Sequence, residues 1–249
     1  MRVTILGAGT SIPAKDHSPA GLYVRAGREH LLFDTGPGTL QRLHRVGVSP
    51  YQVDRVFLTH YHLDHCLDLA TLLFALRIPQ PARRTPLTVY GPKGLKRLYR
   101  QLNRAFHGWL EPRTYQLTLH ELGESTVRLP GGLVSAKRMR HSTTALGYRL
   151  EAGGKVLTYS GDTDVCQNAV TLGHEADLLV LECSHPDGRK VAGHLTPTEC
   201  GRIAAAARCR HLLLTHFYPV FQGYDIRRRV RRAFRGRLTL ARDFTTISV

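Results

Sequence analysis

Hydrophobic and polar positions change period many times along the chain. Short apolar and β-branched runs at 3–6, 22–25, 30–33, 55–58, 87–90, 115–119, 134–139, 146–150, 156–159, 178–181, 211–214, 238–240 and 246–249 predict strands. Between them, apolar residues recur near the helical period at 38–46, 65–76, 93–106, 197–208 and 224–234. The fourth helix has a sharp start: Thr196 is suited to the cap, Pro197 to the first helical position and Glu199 to a capping box. No repeat, low-complexity segment or linker interrupts the alternation. This many strands and five helices fit two sheets packed face to face with helices outside, as one domain over residues 1–249.

Composition narrows the class. The chain has 249 residues, 42% of them hydrophobic, so a sizeable core can form. No apolar run approaches the roughly 18 residues of a membrane span, and the glycine-broken start Met1–Pro13 does not resemble a signal peptide. A cytoplasmic protein without a membrane partner is expected. Five cysteines, an odd number with no C-x-x-C pair, read as free thiols rather than a disulfide framework or zinc ribbon.

The net charge is +16, and it is unevenly spread. No acidic residue lies between Asp68 and Glu111, while Arg77, Arg83, Arg84, Lys93, Lys96, Arg97, Arg100 and Arg104 do. A second basic block runs from Arg227 to Arg237. Such blocks suit a polyanion, and equally suit solvated helix faces.

The candidate chemistry starts at Thr59-His60-Tyr61-His62-Leu63-Asp64-His65, directly after the buried-strand pattern Val56-Phe57-Leu58. In an extended segment, His60 and His62 point to one side. Asp64 and His65 follow where a helix begins, and imidazole and carboxylate are zinc-type ligands. H-x-H-x-D-H should arise by chance roughly 0.002 times in a chain of this composition, so the motif is specific. Four ligands do not complete two sites. His141, Asp162 and His216 each follow a predicted strand, where a rigid sheet can aim them.

The order H-x-H-x-D-H, His, Gly-Asp-Thr, Thr-His resembles the metallo-β-lactamase superfamily, and the resemblance runs essentially end to end. It implies a four-layer αββα sandwich of two mixed sheets. It also implies two divalent metal ions, zinc foremost, with manganese, iron or nickel compatible with the same ligands. By that resemblance His60, His62 and His141 hold one ion. Asp64, His65 and His216 hold the other, Asp162 bridges them, and Asp34 orients the ligand loop.

Several details are similar to ribonuclease Z and its near relatives: Ser160-Gly161-Asp162-Thr163, Arg140-His141-Ser142 and Leu214-Thr215-His216-Phe217. Glu182 and His194 resemble that group's catalytic pair, and Asp64 joins them as a ligand at the reacting centre. The implied reaction is attack of a metal-bridging hydroxide on a phosphodiester, RNA or smaller, with His194 protonating the leaving group.

Two departures stand out. Only 20 residues separate His141 from Asp162, which leaves room for a hairpin and none for the long arm with which such enzymes grip tRNA. Asp16-His17 also stands where Arg-Asn is expected in the tRNA-selecting loop. A lactonase, thioesterase or arylsulfatase on the same fold is the alternative. A non-enzymatic nucleic-acid binder would be expected to lose ligands, and all seven positions are filled. The sequence leaves a homodimer open. His44, His120, His174 and His211 read as structural, and packing is the expected role of His107 and Trp109.

Overall fold

In the computed structural model, which describes residues 1–221 and 223–249, short strands and helices alternate as the pattern predicts. The first half carries β1 (Arg2–Gly7), β2 (Gly21–Ala26), β3 (Glu29–Thr35), α1 (Thr39–Arg45), β4 (Arg55–Phe57), α2 (Leu63–Cys66), α3 (Asp68–Arg77), β5 (Leu87–Pro92), α4 (Leu95–Ala105) and β6 (Leu117–Leu122). The second carries β7 (Ser125–Leu129), β8 (Gly132–Arg138), β9 (Leu146–Ala152), β10 (Lys155–Tyr159), α5 (Gln167–Gly173), β11 (Leu178–Glu182), α6 (Pro197–Ala206), β12 (His211–Thr215), α7 (Ile226–Val230), β13 (Arg237–Leu240) and β14 (Thr246–Ser248).

They form two mixed sheets of seven strands, ordered β14-β1-β2-β3-β4-β5-β6 and β13-β12-β11-β10-β9-β8-β7. Side-chain alternation explains the layering. On β4, Phe57 enters the core between the sheets while Val56 packs under α1 and α3. On β11, Leu178 and Val180 face the other sheet while Leu179 and Leu181 meet α5 and α6. Strands buried on both faces need near-continuous apolar runs, and β11 and β12 have them. The inter-sheet core is aromatic: Phe33 stacks on Phe57 at 5.0 Å, and the Tyr148 hydroxyl donates to the Leu58 carbonyl at 2.7 Å. Each such side chain, fully buried, contributes about 1.5–3 kcal/mol. The result is an αββα sandwich. No helix among the described residues is long and apolar enough to cross a membrane.

The elements differ from expectation in four places. β7 was not expected: its run Ser-Thr-Val-Arg-Leu buries only Leu129, because it is an edge strand of its sheet. α5 was not expected either; it buries only Ala169, Leu172 and Gly173. The helix expected at 65–76 is interrupted at Leu67, where the Ala70 N–H reaches back three residues instead of four. The helix expected at 224–234 contracts to α7, whose start is fixed by the Asp225 carboxylate accepting from the Arg228 N–H. The capping box of α6 forms, with Glu199 accepting from the Thr196 N–H at 2.9 Å.

Part of the basic charge is structural. Arg83 is buried, and its guanidinium donates to the carbonyls of Tyr51, Val53, Thr85 and Pro86. Arg77 donates to the carbonyls of Gly108 and Glu111, and Arg227 and Arg231 to those of Leu238 and Gly236. Lys93, Lys96, Arg97, Arg100 and Arg104, on and before α4, remain exposed.

Candidate metal centre

The parallel strands β3 and β4 of one sheet, and β10, β11 and β12 of the other, all end at one edge of the sandwich. Open α/β sheets place ligands outside the carboxyl ends of their strands, and the seven candidate metal ligands and the Glu182–His194 pair meet there.

His60 and His62 follow β4 in extended backbone, and Tyr61 between them turns away to donate to the Pro92 carbonyl. His62 then caps α2, whose first turn carries Asp64 and His65. His141 follows β8, Asp162 follows β10 and His216 follows β12. His60 Nε2 lies 3.0 Å from His62 Nδ1, and His141 Nε2 lies 3.1 Å from the same atom. On the other side, His65 Nε2 and His216 Nε2 are 3.1 Å apart, with Asp64 Oδ2 3.6 Å from His216 Nε2.

Asp162 stands between the two groups, and its two oxygens divide. Oδ2 faces His60 and His141 at 3.8 and 3.7 Å. Oδ1 faces His65 and His216 at 3.3 and 3.4 Å. Oδ1 is buried with no hydrogen-bond partner among the described residues. A buried oxygen left so costs about 1–3 kcal/mol, and a cation removes that cost. Donor atoms bound to one tetrahedral zinc at about 2.1 Å lie roughly 3.4 Å apart, close to the spacings seen in each group. The residues therefore fit a pair of divalent ions.

The charges of these groups are strongly coupled. Asp162 sits well below the ordinary carboxylate range: burial opposes its charge, but His216 and His65 outweigh burial. His65 is raised well above the ordinary histidine value, since Asp162 and Asp34 overcome the penalty of burial. His60 is lowered well below it by burial and by the nearby His65.

Asp34, fully buried, ties the loop together. Its Oδ1 accepts from the Thr59 N–H at 2.7 Å, and its Oδ2 from the Thr59 hydroxyl at 2.9 Å, the Tyr159 hydroxyl at 2.9 Å and His65 Nδ1 at 2.7 Å. Asp34 adopts φ 58 and His216 φ 59, a strained conformation for such residues that is typical of functional sites.

Glu182 ends β11 and is 1% exposed. Its Oε1 accepts from His194 Nδ1 at 3.0 Å and the Thr163 N–H at 2.9 Å; its Oε2 accepts from the Ser184 hydroxyl at 2.6 Å and the Leu195 N–H at 3.1 Å. The His194 value is raised: burial opposes protonation, but the Glu182 hydrogen bond prevails. Both ring hydrogen bonds of His194 use Nδ1, and Nε2 has none among the described residues. His194 Nδ1 is also 3.9 Å from Asp162 Oδ2, so the pair borders the ligand cluster.

Motif reading missed three further groups. Ser184 links Glu182 to His216. Asp164 accepts from the Gly193 N–H and pairs with Lys190, which pins the loop that carries His194. His185 and Tyr218 stack at 4.8 Å beside His194. None has a motif spacing; only their places after β10, β11 and β12, the strands that deliver Asp162, Glu182 and His216, would have pointed to them. Trp109 lies away from this centre. It is half-exposed against Phe74 and Arg77, beside a cavity of about 550 Å³ that His107 also lines.

Comparison with known proteins identifies the family. A family model described as a beta-lactamase superfamily domain matches residues 29–217. Ribonuclease Z of Methanothermobacter thermautotrophicus is 26% identical over 302 aligned positions, covering 100% of this chain and 97% of that protein. An uncharacterized protein of Mycobacterium tuberculosis is 32% identical over 242 positions, covering 95% of this chain and 88% of that one. The crystal structure of the short form of human tRNase Z superposes with a TM-score of 0.81 at 26% identity, covering 100% of this chain and 99% of that one.

Proposed function

The chain belongs to the metallo-β-lactamase superfamily and is a metal-dependent hydrolase, and from that premise we propose that it is a binuclear phosphodiesterase, in one domain over residues 1–249. His60, His62 and His141 hold one ion, Asp64, His65 and His216 hold the other, and Asp162 joins both. Zinc is the preferred ion for this His-rich set. The observation that carries the reading is the divided carboxylate of Asp162, with one oxygen toward each group of histidines and the Glu182–His194 pair alongside.

When bound, two divalent ions supply a water acidic enough to attack near neutral pH and positive charge for a phosphoryl group. The chain's own residues do the rest. Asp34 and Glu182 fix the rings of His65 and His194 through Nδ1. His194, raised by Glu182, holds a proton within reach of the centre and gives it to the departing alkoxide. A phosphodiester has a poor leaving group and needs that proton, which favours it over a lactone or thioester.

The substrate is an RNA or a smaller phosphodiester rather than a whole tRNA body. β9 and β10 form a tight hairpin between His141 and Asp162, in the place of any tRNA-gripping arm. The alignment with the Methanothermobacter ribonuclease Z needs 302 positions for a chain of 249 residues, so that relative has inserted segments that this chain lacks. The exposed cations of α4 provide a surface for backbone phosphates.

The test is hydrolysis of bis(p-nitrophenyl) phosphate and of a precursor tRNA, with metal content measured on the same sample. We expect cleavage of the small diester at two ions per chain and little or none of the precursor. Two ions with no diester cleavage would overturn the phosphodiesterase reading in favour of a lactonase or thioesterase.

A further inference from the structure

Ser184 lies two residues past Glu182 and is fully enclosed, at 0% exposure. Its hydroxyl is 2.6 Å from Glu182 Oε2, 3.0 Å from His216 Nδ1, 3.3 Å from His194 Nδ1 and 3.3 Å from the His216 carbonyl. A hydroxyl has one proton to give and two lone pairs. The shortest contact is to a carboxylate, which only accepts, so the proton goes to Glu182. The oxygen must then accept from His216, and Nδ1 of that ring carries hydrogen. This leaves the lone pair on His216 Nε2, the atom that faces Asp162, Asp64 and His65.

The same construction occurs across the centre. Asp34 takes His65 Nδ1 directly at 2.7 Å, and the Thr59 hydroxyl that donates to Asp34 lies 3.0 Å from His60 Nδ1. Each sheet thus supplies one buried carboxylate that holds one histidine directly and a second through a hydroxyl. In the first sheet these are Asp34, His65, Thr59 and His60. In the second they are Glu182, His194, Ser184 and His216. His141 is held differently, by the Gly193 carbonyl at 2.9 Å.

We propose that Ser184 is a positioning residue which extends the Glu182 carboxylate to His216, so that one carboxylate orients both the proton donor and a metal ligand. The inference rests on the reading of His216 as a ligand. Without the hydroxyl, the His216 ring loses the partner that sets its tautomer, and the ion on the Asp64–His65–His216 side is bound less tightly. The other ion, two of whose three histidines, His60 and His141, are held by Thr59 and Gly193, is unaffected.

The experiment is zinc titration of wild type, Ser184→Ala and Ser184→Thr against a chromogenic chelator, with thermal unfolding of each metal-free protein alongside. Ser184→Ala is expected to weaken one of two zinc ions about 10–100-fold, the usual effect of losing a hydrogen-bond partner of a metal ligand. Ser184→Thr, which keeps the hydroxyl, is expected to restore most of that loss. A purely structural role would instead lower the metal-free unfolding temperature and leave zinc affinity of the folded protein unchanged. Two zinc ions bound with wild-type affinity by Ser184→Ala overturns the proposal. Wild-type protein that takes up fewer than two ions overturns the ligand assignment, and this inference with it.

Discussion

A single imidazole decides between protonating a leaving group and merely sealing a helix start. In the proposed function His194 takes the first task, since Glu182 holds Nδ1 at 3.0 Å and raises the ring's proton affinity against burial. His194→Ala is expected to slow hydrolysis of alkyl phosphodiesters by about 10²–10⁴-fold, the span typical of general acids. Nitrophenyl diesters should lose far less, because nitrophenolate departs without help. Steady-state rates on both substrates check this, and equal losses would leave His194 without an acid role. The residues of this centre were legible in sequence to different degrees. His60, His62, Asp64 and His65 announce themselves by spacing, whereas Glu182 and His194 were found only through their resemblance to a known pair. Ser184 and Thr59 were not singled out, since isolated hydroxyl residues are common and carry no pattern.

The strand–turn segments at the edge of the sandwich carry their own constraint. Gly161 links β10 to Asp162 at φ +57, and a Cβ there would lie 2.6 Å from the Thr59 side chain. That side chain holds both Asp34 and His60. Gly161→Ala is therefore expected to destabilise by about 1–3 kcal/mol through backbone strain and also to weaken zinc binding by displacing Thr59. Gly153→Ala is the control: its φ is +59, but nothing lies within 4 Å of an added Cβ. Denaturant unfolding should register both substitutions, and zinc affinity only the first. Comparable zinc affinity in the two variants would refute the role given to the Thr59 contact. β11 and α6 were legible because continuous burial and capping leave a local trace. β7 and α5 were not, since β7 buries only Leu129 and α5 only Ala169, Leu172 and Gly173, too few positions to leave a pattern.

On the scale of the whole molecule, the candidate ligands come from both sheets: His60, His62, Asp64 and His65 from the first, and His141, Asp162 and His216 from the second. In the proposed assignment metal binding fastens one sheet to the other, and its free energy adds to folding. Removing metal with a chelator is expected to lower the unfolding temperature, and zinc at about 100 times its dissociation constant to restore about 2.7 kcal/mol of stability. An unfolding temperature independent of chelator and zinc would contradict a centre shared between the sheets. The net charge of +16 is likewise a property of the whole, and its reading changed with the structure. Arg83 is buried and Arg77 and Arg231 are partly so, each tied to backbone carbonyls, so the free positive surface is smaller than the basic blocks suggest.

By itself the sequence determined the layered architecture and singled out His60, His62, Asp64 and His65 as candidate ligands. Both follow from local information: the two-residue alternation of strands, the helical period, and a His/Asp spacing too improbable to be chance. Only the tertiary structure decided how those ligands are oriented and which cations are free. Those properties depend on contacts between residues far apart in the chain. Asp34 meets Tyr159 and Ser184 meets His216, while Arg77 turns back to Glu111. A hydrogen bond between such partners leaves no periodicity in sequence, because either residue would look the same without the other.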